Sequence, residues 1–97
     1  MRIIAKKEIN SFISMHADSS ESLNEWYLKT KNRIWTNFQD VKNTFNSVDY
    51  VKNDLYVFNI SGNKYRIVAR IFFRNPKVYI RFIGTHAEYD KLDLNKL

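Results

Sequence analysis

Apolar residues near the start of the chain recur at helical spacing. One face with the spacing i, i+3, i+4, i+7 is formed by Ile9, Phe12, Ile13 and His16. A second helix is predicted after the polar stretch ADSSESL, where Asp18 and Ser19 are candidate caps. Its buried side is formed by Leu23, Trp26, Tyr27 and Ile34. These segments predict a helical hairpin, preceded by a short strand at residues 2–4.

The pattern changes from helix to strand in the second half of the chain. A third, short helix is predicted where Phe38, Val41 and Phe45 share a face. From Leu55 onward, LYVFNI, YRIVARIFFR and KVYIRFI are rich in β-branched and aromatic residues and are separated by the turn sequences SGNK and NPK. We therefore predict one α+β domain over residues 1–97. Its sheet has about four strands, antiparallel except at the N-terminal strand, with the N-terminal helices on one face and a short C-terminal helix.

Three arginines share one face of the predicted strand YRIVARIFFR. Alternation places Tyr65, Ile67, Ala69, Ile71 and Phe73 toward the core and Arg66, Val68, Arg70, Phe72 and Arg74 on the other side, which we call the arginine face. The same rule applied to KVYIRFI puts Val78, Ile80 and Phe82 toward the core and Lys77, Tyr79, Arg81 and Ile83 on the arginine face.

The pairing of these two strands determines which charges meet. If the turn pairs Phe73 with Val78, Arg70 lies opposite Arg81 and Arg66 lies opposite Thr85. Like charges opposite each other are most easily tolerated with an anion between them, and phosphate is the obvious candidate. Solvent-facing arginines on an amphipathic strand are the other interpretation. Aromatic side chains on this face would stack unpaired bases, unless protein covers them.

Composition narrows the chemistry. The 97 residues include no cysteine, no glycine-rich phosphate loop and no histidine pair at metal-ligand spacing, so we expect neither metal nor cofactor. His16 is interpreted as a structural residue of the first helix. Sixteen Lys and Arg against ten Asp and Glu give a net charge of +6, which favours a polyanionic partner such as RNA, DNA or an acidic protein. The opening MRIIAKKEINSF has early charges and no long apolar stretch, which predicts a cytoplasmic protein with no membrane contact.

The segment GTHAEYDKL joins a strand to a helix. Gly84 is predicted to end the strand, and Thr85 with Glu88 has the form of a capping box that places His86 in the first helical turn. Tyr89 and Asp90 follow His86 at i+3 and i+4, on the same helical face. Asp90 either orients His86 or pairs with Lys91 or Arg66.

RNA phosphodiester cleavage needs a base, cations for the crowded phosphorane and an acid for the leaving oxygen. His86, Arg66, Arg70 and Tyr89 include these residue types. The other interpretation is a capped helix that packs Leu92 and Tyr89 against the sheet.

Three stretches resemble a known family. The resemblance lies in the stretches MRIIAKKEI, SGNKYRIVARIFF and KVYIRFIGTHAEYDKL. In them the chain resembles the HigB-type toxins of bacterial toxin-antitoxin modules, within the RelE and ParE-like superfamily. The resemblance implies a RelE-like fold and an mRNA interferase that enters the ribosomal A site and cleaves translated messenger RNA without a metal. It also implies a neutralising HigA-type antitoxin with a helix-turn-helix domain, in a complex that binds operator DNA.

The matching positions imply a site. By resemblance they are Lys64, Arg66 and Arg70 in GNKYRIVAR and His86 and Tyr89 in THAEYDK. We expect acid or base duty for His86, transition-state stabilisation for Arg66 and Arg70, and stacking or proton donation for Tyr89. The expected RNA-binding residues are Lys64, Arg74, Lys77, Tyr79, Arg81 and Lys91. A ParE-like gyrase inhibitor and a non-catalytic nucleic-acid-binding module stay open as other functions.

Overall fold

A five-stranded mixed sheet, with strand order β1-β5-β4-β3-β2, organises the structure. The computed structural model describes residues 1–97. The strands are β1 Arg2–Ile4, β2 Val48–Lys52, β3 Leu55–Ile60, β4 Tyr65–Phe72 and β5 Lys77–Thr85, and the helices are α1 Lys6–Met15, α2 Ser20–Lys31, α3 Phe38–Thr44 and α4 His86–Asp90. Short 3-10 turns cover Ala17–Ser19 and Leu94–Lys96. β1 runs parallel to β5 and every other pairing is antiparallel, which confirms the predicted α+β class.

The prediction of about four strands missed β2. This edge strand pairs with β3 from Val48 opposite Phe58 to Lys52 opposite Leu55, with a bulge between Tyr50 and Lys52. The bulge breaks the alternation, and only Val48 of the five residues is fully buried. A short, mostly polar edge strand therefore lacks the apolar period by which strands are recognised.

Helices α1, α2 and α3 pack on one face of the sheet and form the main core with it. The largest buried side chains there include Trp26, Trp35 and Phe58. Trp26 meets Phe58 edge-on, with ring centroids 5.4 Å apart. His16 is half-buried and stacks on Phe12 at 4.3 Å, which confirms its structural interpretation.

Two details of the predicted second helix are wrong. Ile34 is 79% exposed, because α2 ends at Lys31 and no longer fixes its direction. Ser19 occupies the N-cap position, as predicted, but its hydroxyl donates to the His16 carbonyl oxygen at 2.6 Å and makes no capping hydrogen bond. Asp18 does not cap α2, because it is engaged by side chains of the sheet. None of the four helices combines the length and the apolar character needed to cross a membrane.

The predicted register between β4 and β5 is also wrong. The turn is longer than NPK, since residues 73–76 form it, and Phe72 pairs with Lys77. Arg70 therefore lies opposite Tyr79 rather than Arg81. Arg81 is an extra residue in a bulge between the pairs Ala69–Ile80 and Val68–Phe82.

The bulge exchanges the faces of the residues that follow it. Ile83 now pairs with Ile67 and packs against the main core, whereas Phe82 pairs with Val68 on the arginine face. Both assignments reverse the prediction, because strict alternation does not survive an inserted residue. Beyond the bulge Arg66 lies opposite Gly84, one residue from its predicted partner Thr85.

The C-terminal segment covers part of the arginine face. Leu55, Val57 and Val68 form a second buried cluster there. The side chains packed over it are Val51, Phe82, Tyr89, Leu92, Leu94 and Leu97. The predicted packing of Leu92 and Tyr89 against the sheet is thus confirmed. The side chains packed here do not include Phe72, Arg74, Lys77, Tyr79 or Arg81, which form the uncovered part of the arginine face.

Candidate active site

β5 continues directly into α4. The strand runs through Gly84 to Thr85, so the prediction that Gly84 ends it is wrong. The predicted capping box is present: Thr85 Oγ1 accepts from the Glu88 main-chain N–H at 3.1 Å, and Glu88 Oε1 accepts from the Thr85 N–H at 2.8 Å. That main-chain hydrogen bond lowers the pKa of Glu88. The His86 N–H donates to the Lys64 carbonyl oxygen at 3.1 Å, which fastens the start of α4 beside β4.

The imidazole of His86 is oriented by a carboxylate. Nδ1 lies 2.9 Å from Asp90 Oδ2, and both side chains are about half exposed. An ionised carboxylate only accepts hydrogen bonds, so Nδ1 carries the hydrogen in this pair. In the neutral ring, Nε2 is then left with its lone pair free. Among the partners considered for Asp90, the structure selects His86.

Arg66 lies at the same end of the sheet as His86. It stands in β4 opposite Gly84, and its guanidinium carbon is 5.1 Å from the ring centroid of Tyr89. Its Nη1 donates to Asn59 Oδ1, while its Nε–H is buried without a hydrogen-bond partner. The structure therefore brings together three of the four predicted catalytic residues at the junction of β4, β5 and α4.

The fourth predicted catalytic residue, Arg70, has different surroundings. It lies four residues further along β4 than Arg66, opposite Leu55 in β3 and Tyr79 in β5. Its guanidinium donates to the main-chain oxygens of Asn53 and Leu97. Arg70 thus links the β2–β3 turn to the C-terminal segment, and part of its hydrogen-bonding capacity is already used.

Lys64 is held by an acidic residue from the helical side. This exposed lysine pairs with Asp18, which also accepts from the Tyr65 hydroxyl at 2.6 Å. The hydrogen bonds from Lys64 and then Tyr65 lower the pKa of Asp18, and Asp18 in turn raises the pKa of Lys64. The sequence predicts only a capping role for Asp18, because no local pattern reveals a partner 46 residues away.

The other predicted RNA-binding residues are spread along the two strands and their ends. Lys77 stands over the Phe72 ring at 5.3 Å, and the Arg81 guanidinium carbon is 5.1 Å from the Tyr79 ring centroid. Exposed Arg74 lies in the β4–β5 turn, and exposed Lys91 follows α4. No group of three or more His, Cys, Asp or Glu side chains is placed to hold a metal ion.

Comparison with known proteins points to one family. Residues 19–92 match the HigB toxin family, described as a RelE-like toxic component of a toxin-antitoxin system. The chain is 30% identical over 94 residues to the mRNA interferase HigB of an Escherichia coli strain, an alignment that covers 95% of this chain and 91% of that protein. It is 46% identical over 54 residues to the mRNA interferase HigB of Shigella flexneri, covering 54% of this chain and 52% of that protein.

Proposed function

The chain belongs to the HigB family of RelE-like toxins, and from this premise we propose that it is a ribosome-dependent mRNA interferase. A relative that aligns with 95% of this chain is named an mRNA interferase. The observation that carries the assignment is the meeting of Arg66, His86 and Tyr89 beside the uncovered part of the arginine face.

The arrangement provides the groups for cleavage by the neighbouring hydroxyl of RNA. His86 Nε2 takes the proton of a ribose 2′-hydroxyl, whose oxygen attacks the adjacent phosphorus. The bond to the 5′ oxygen breaks as that oxygen acquires a proton from an acid, for which Tyr89 is the candidate. The products are a 2′,3′-cyclic phosphate and a 5′-hydroxyl, so no oxidant or further reactant is required.

Arg66 is the main cation in this proposal. Its Nη hydrogens that do not bond Asn59 are available for the phosphate oxygens, where charge grows in the transition state. Arg70 has carbonyl partners already, so we assign it a smaller share through its positive charge. Charge stabilisation by guanidinium supports the proposal that cleavage proceeds without a metal.

The message is proposed to follow β4 and β5 away from His86. Its phosphates are attracted by five cationic side chains, those of Lys64, Arg74, Lys77, Arg81 and Lys91. The partly exposed ring of Tyr79 offers a stacking surface for an unpaired base. Pairing with Asp18 leaves Lys64 the least free of these cations.

The partners follow from family membership. We propose that the protein acts in the cytoplasm as one domain and enters the ribosomal A site. A HigA-type antitoxin neutralises it, and their complex binds operator DNA. The ribosome would align the scissile phosphate with a site of half-exposed side chains.

The test is cleavage of a defined message, with and without purified translating ribosomes. Wild type should cut only on ribosomes, and His86→Gln and Arg66→Ala should each slow cutting at least about 100-fold, the loss seen when a transition-state donor is removed. Arg70→Ala should lose less, and Arg33→Ala, which removes an exposed arginine outside the site, is the matched control.

Antitoxin binding and thermal unfolding confirm that the variants remain folded. Full cutting by both His86→Gln and Arg66→Ala would refute the site. DNA breaks without RNA cuts would indicate a gyrase inhibitor instead.

A further inference from the structure

Asn59 connects Arg66 to the edge of the sheet. In β3 it lies directly opposite Arg66, and its Oδ1 accepts from Arg66 Nη1. Its Nδ2 donates to the Ser47 hydroxyl oxygen, and its main-chain N–H donates to the Ser47 carbonyl oxygen at 3.1 Å. A continuous chain of hydrogen bonds therefore runs from Ser47 through Asn59 to Arg66.

The chemistry of the two partners fixes the orientation of the Asn59 amide. Guanidinium has donors only, so it must face the amide oxygen. A flipped amide would set two donor groups against each other and would also lose the donation to Ser47. Asn59 is half-buried beside an open cleft of about 280 Å³ that is lined also by Trp26 and Asn46, and these hydrogen bonds are the polar contacts that orient its amide.

Arg66 has few other restraints. The guanidinium carbon lies over the Tyr89 ring, a contact that holds the group near the ring but supplies no hydrogen-bond acceptor to fix which Nη hydrogen points where. The buried Nε–H has no acceptor. Asn59 is thus the single hydrogen-bond acceptor that the structure supplies to this side chain, and it decides which Nη hydrogens remain for a ligand.

We propose that Asn59, held by Ser47, is a positioning residue that sets the orientation of Arg66 toward the scissile phosphate. This inference rests on the proposed ribonuclease function. Asn59 itself does not touch the RNA; it acts only through the arginine.

A double-mutant cycle tests this dependence. Single-turnover cleavage on message-programmed ribosomes should slow about 10- to 100-fold in Asn59→Ala, as for other residues that orient a functional group. Ribosome affinity should be unchanged. In an Arg66→Lys background, which keeps the charge but loses the planar fork, Asn59→Ala should change the rate less than about twofold. Equal losses in both backgrounds would overturn the proposal.

A second measurement does not depend on activity. In protein labelled with ¹⁵N, the buried Arg66 Nε–H should exchange slowly with water, and Asn59→Ala should accelerate this exchange. Ser47→Ala, which leaves β3 unchanged, should do so to a smaller extent, whereas Asn46→Ala in the same cleft should have no effect.

Unchanged Arg66 exchange in Asn59→Ala would refute the positioning role whatever the toxin cleaves. A wild-type protein that fails to cut ribosome-bound message would refute the proposed function, while accelerated exchange in the variant would still support the positioning of Arg66.

Discussion

Replacing Gly84 by alanine should destabilise the protein through one side chain, that of Phe82. Gly84 stands opposite Arg66, and the Phe82 ring folds over it. A Cβ added at Gly84 would lie closest to Phe82 Cζ, 2.9 Å from Phe82 Cε2 and 3.1 Å from Glu88 Oε1. Carbon atoms in contact prefer about 3.5–4.0 Å, so the tip of the ring has to move by about 1 Å or more.

The cost follows from what the Phe82 ring covers. It packs over the buried cluster of Leu55, Val57 and Val68, and displacing it opens that cluster. Inserting a methyl group into a packed site usually costs about 1–3 kcal/mol. The ring is half-buried and has room to yield, so we expect about 1–2 kcal/mol in the free energy of unfolding.

Urea unfolding of four proteins isolates this contact: wild type, Gly84→Ala, Phe82→Ala and the double variant. In the Phe82→Ala background the added methyl group meets no ring, so Gly84→Ala should be neutral or stabilise by up to about 1 kcal/mol. Gly62→Ala is the matched control, because a Cβ added there meets no atom within 4 Å. Its φ of +68° predicts a loss from backbone strain alone, without a steric contact. An equal loss for Gly84→Ala with and without the Phe82 ring would refute the steric explanation.

Two further predictions concern contacts that hold the site in place. Thr85→Ala should cost about 1 kcal/mol of unfolding free energy, because it removes the acceptor of the Glu88 N–H, and Thr85→Ser should restore most of it; an unchanged urea midpoint in Thr85→Ala would contradict the cap. The pKa of Asp18 in the folded protein lies below its ordinary value of 3.8. Its contribution to the free energy of unfolding is therefore fully present above pH 3.8 and is lost as the pH falls through the folded pKa. Asp18→Asn should therefore flatten the acid limb of stability against pH, and a limb as steep as that of wild type would show that the pair with Lys64 contributes nothing.

Patterns with local causes were predictable from the sequence. The helical face of Ile9, the alternation around Ile67 and the capping box at Thr85 each depend on residues a few positions apart, and all three are confirmed. The pairing of Asp18 with Lys64 depends on how the 3-10 turn before α2 docks on the sheet, which no short pattern encodes. Asn59 looked like an ordinary polar residue in LYVFNI, and only the pairing of β3 with β4 places it against Arg66.

One inserted residue explains both the reversed faces of Phe82 and Ile83 and the geometry of the site. Without Arg81 as the bulged residue, the pairing of Ile71 with Val78 would continue unchanged and place Ile83 opposite Arg66. A branched side chain would then stand where Gly84 now leaves room for the Phe82 ring, and Ile83 would be lost from the main core. The bulge therefore lets one strand contribute Val78 to the main core and Phe82 to the second cluster, while its end delivers His86 beside β4. Alternation alone predicts the arginine face, but an irregularity in that alternation determines what lies opposite Arg66.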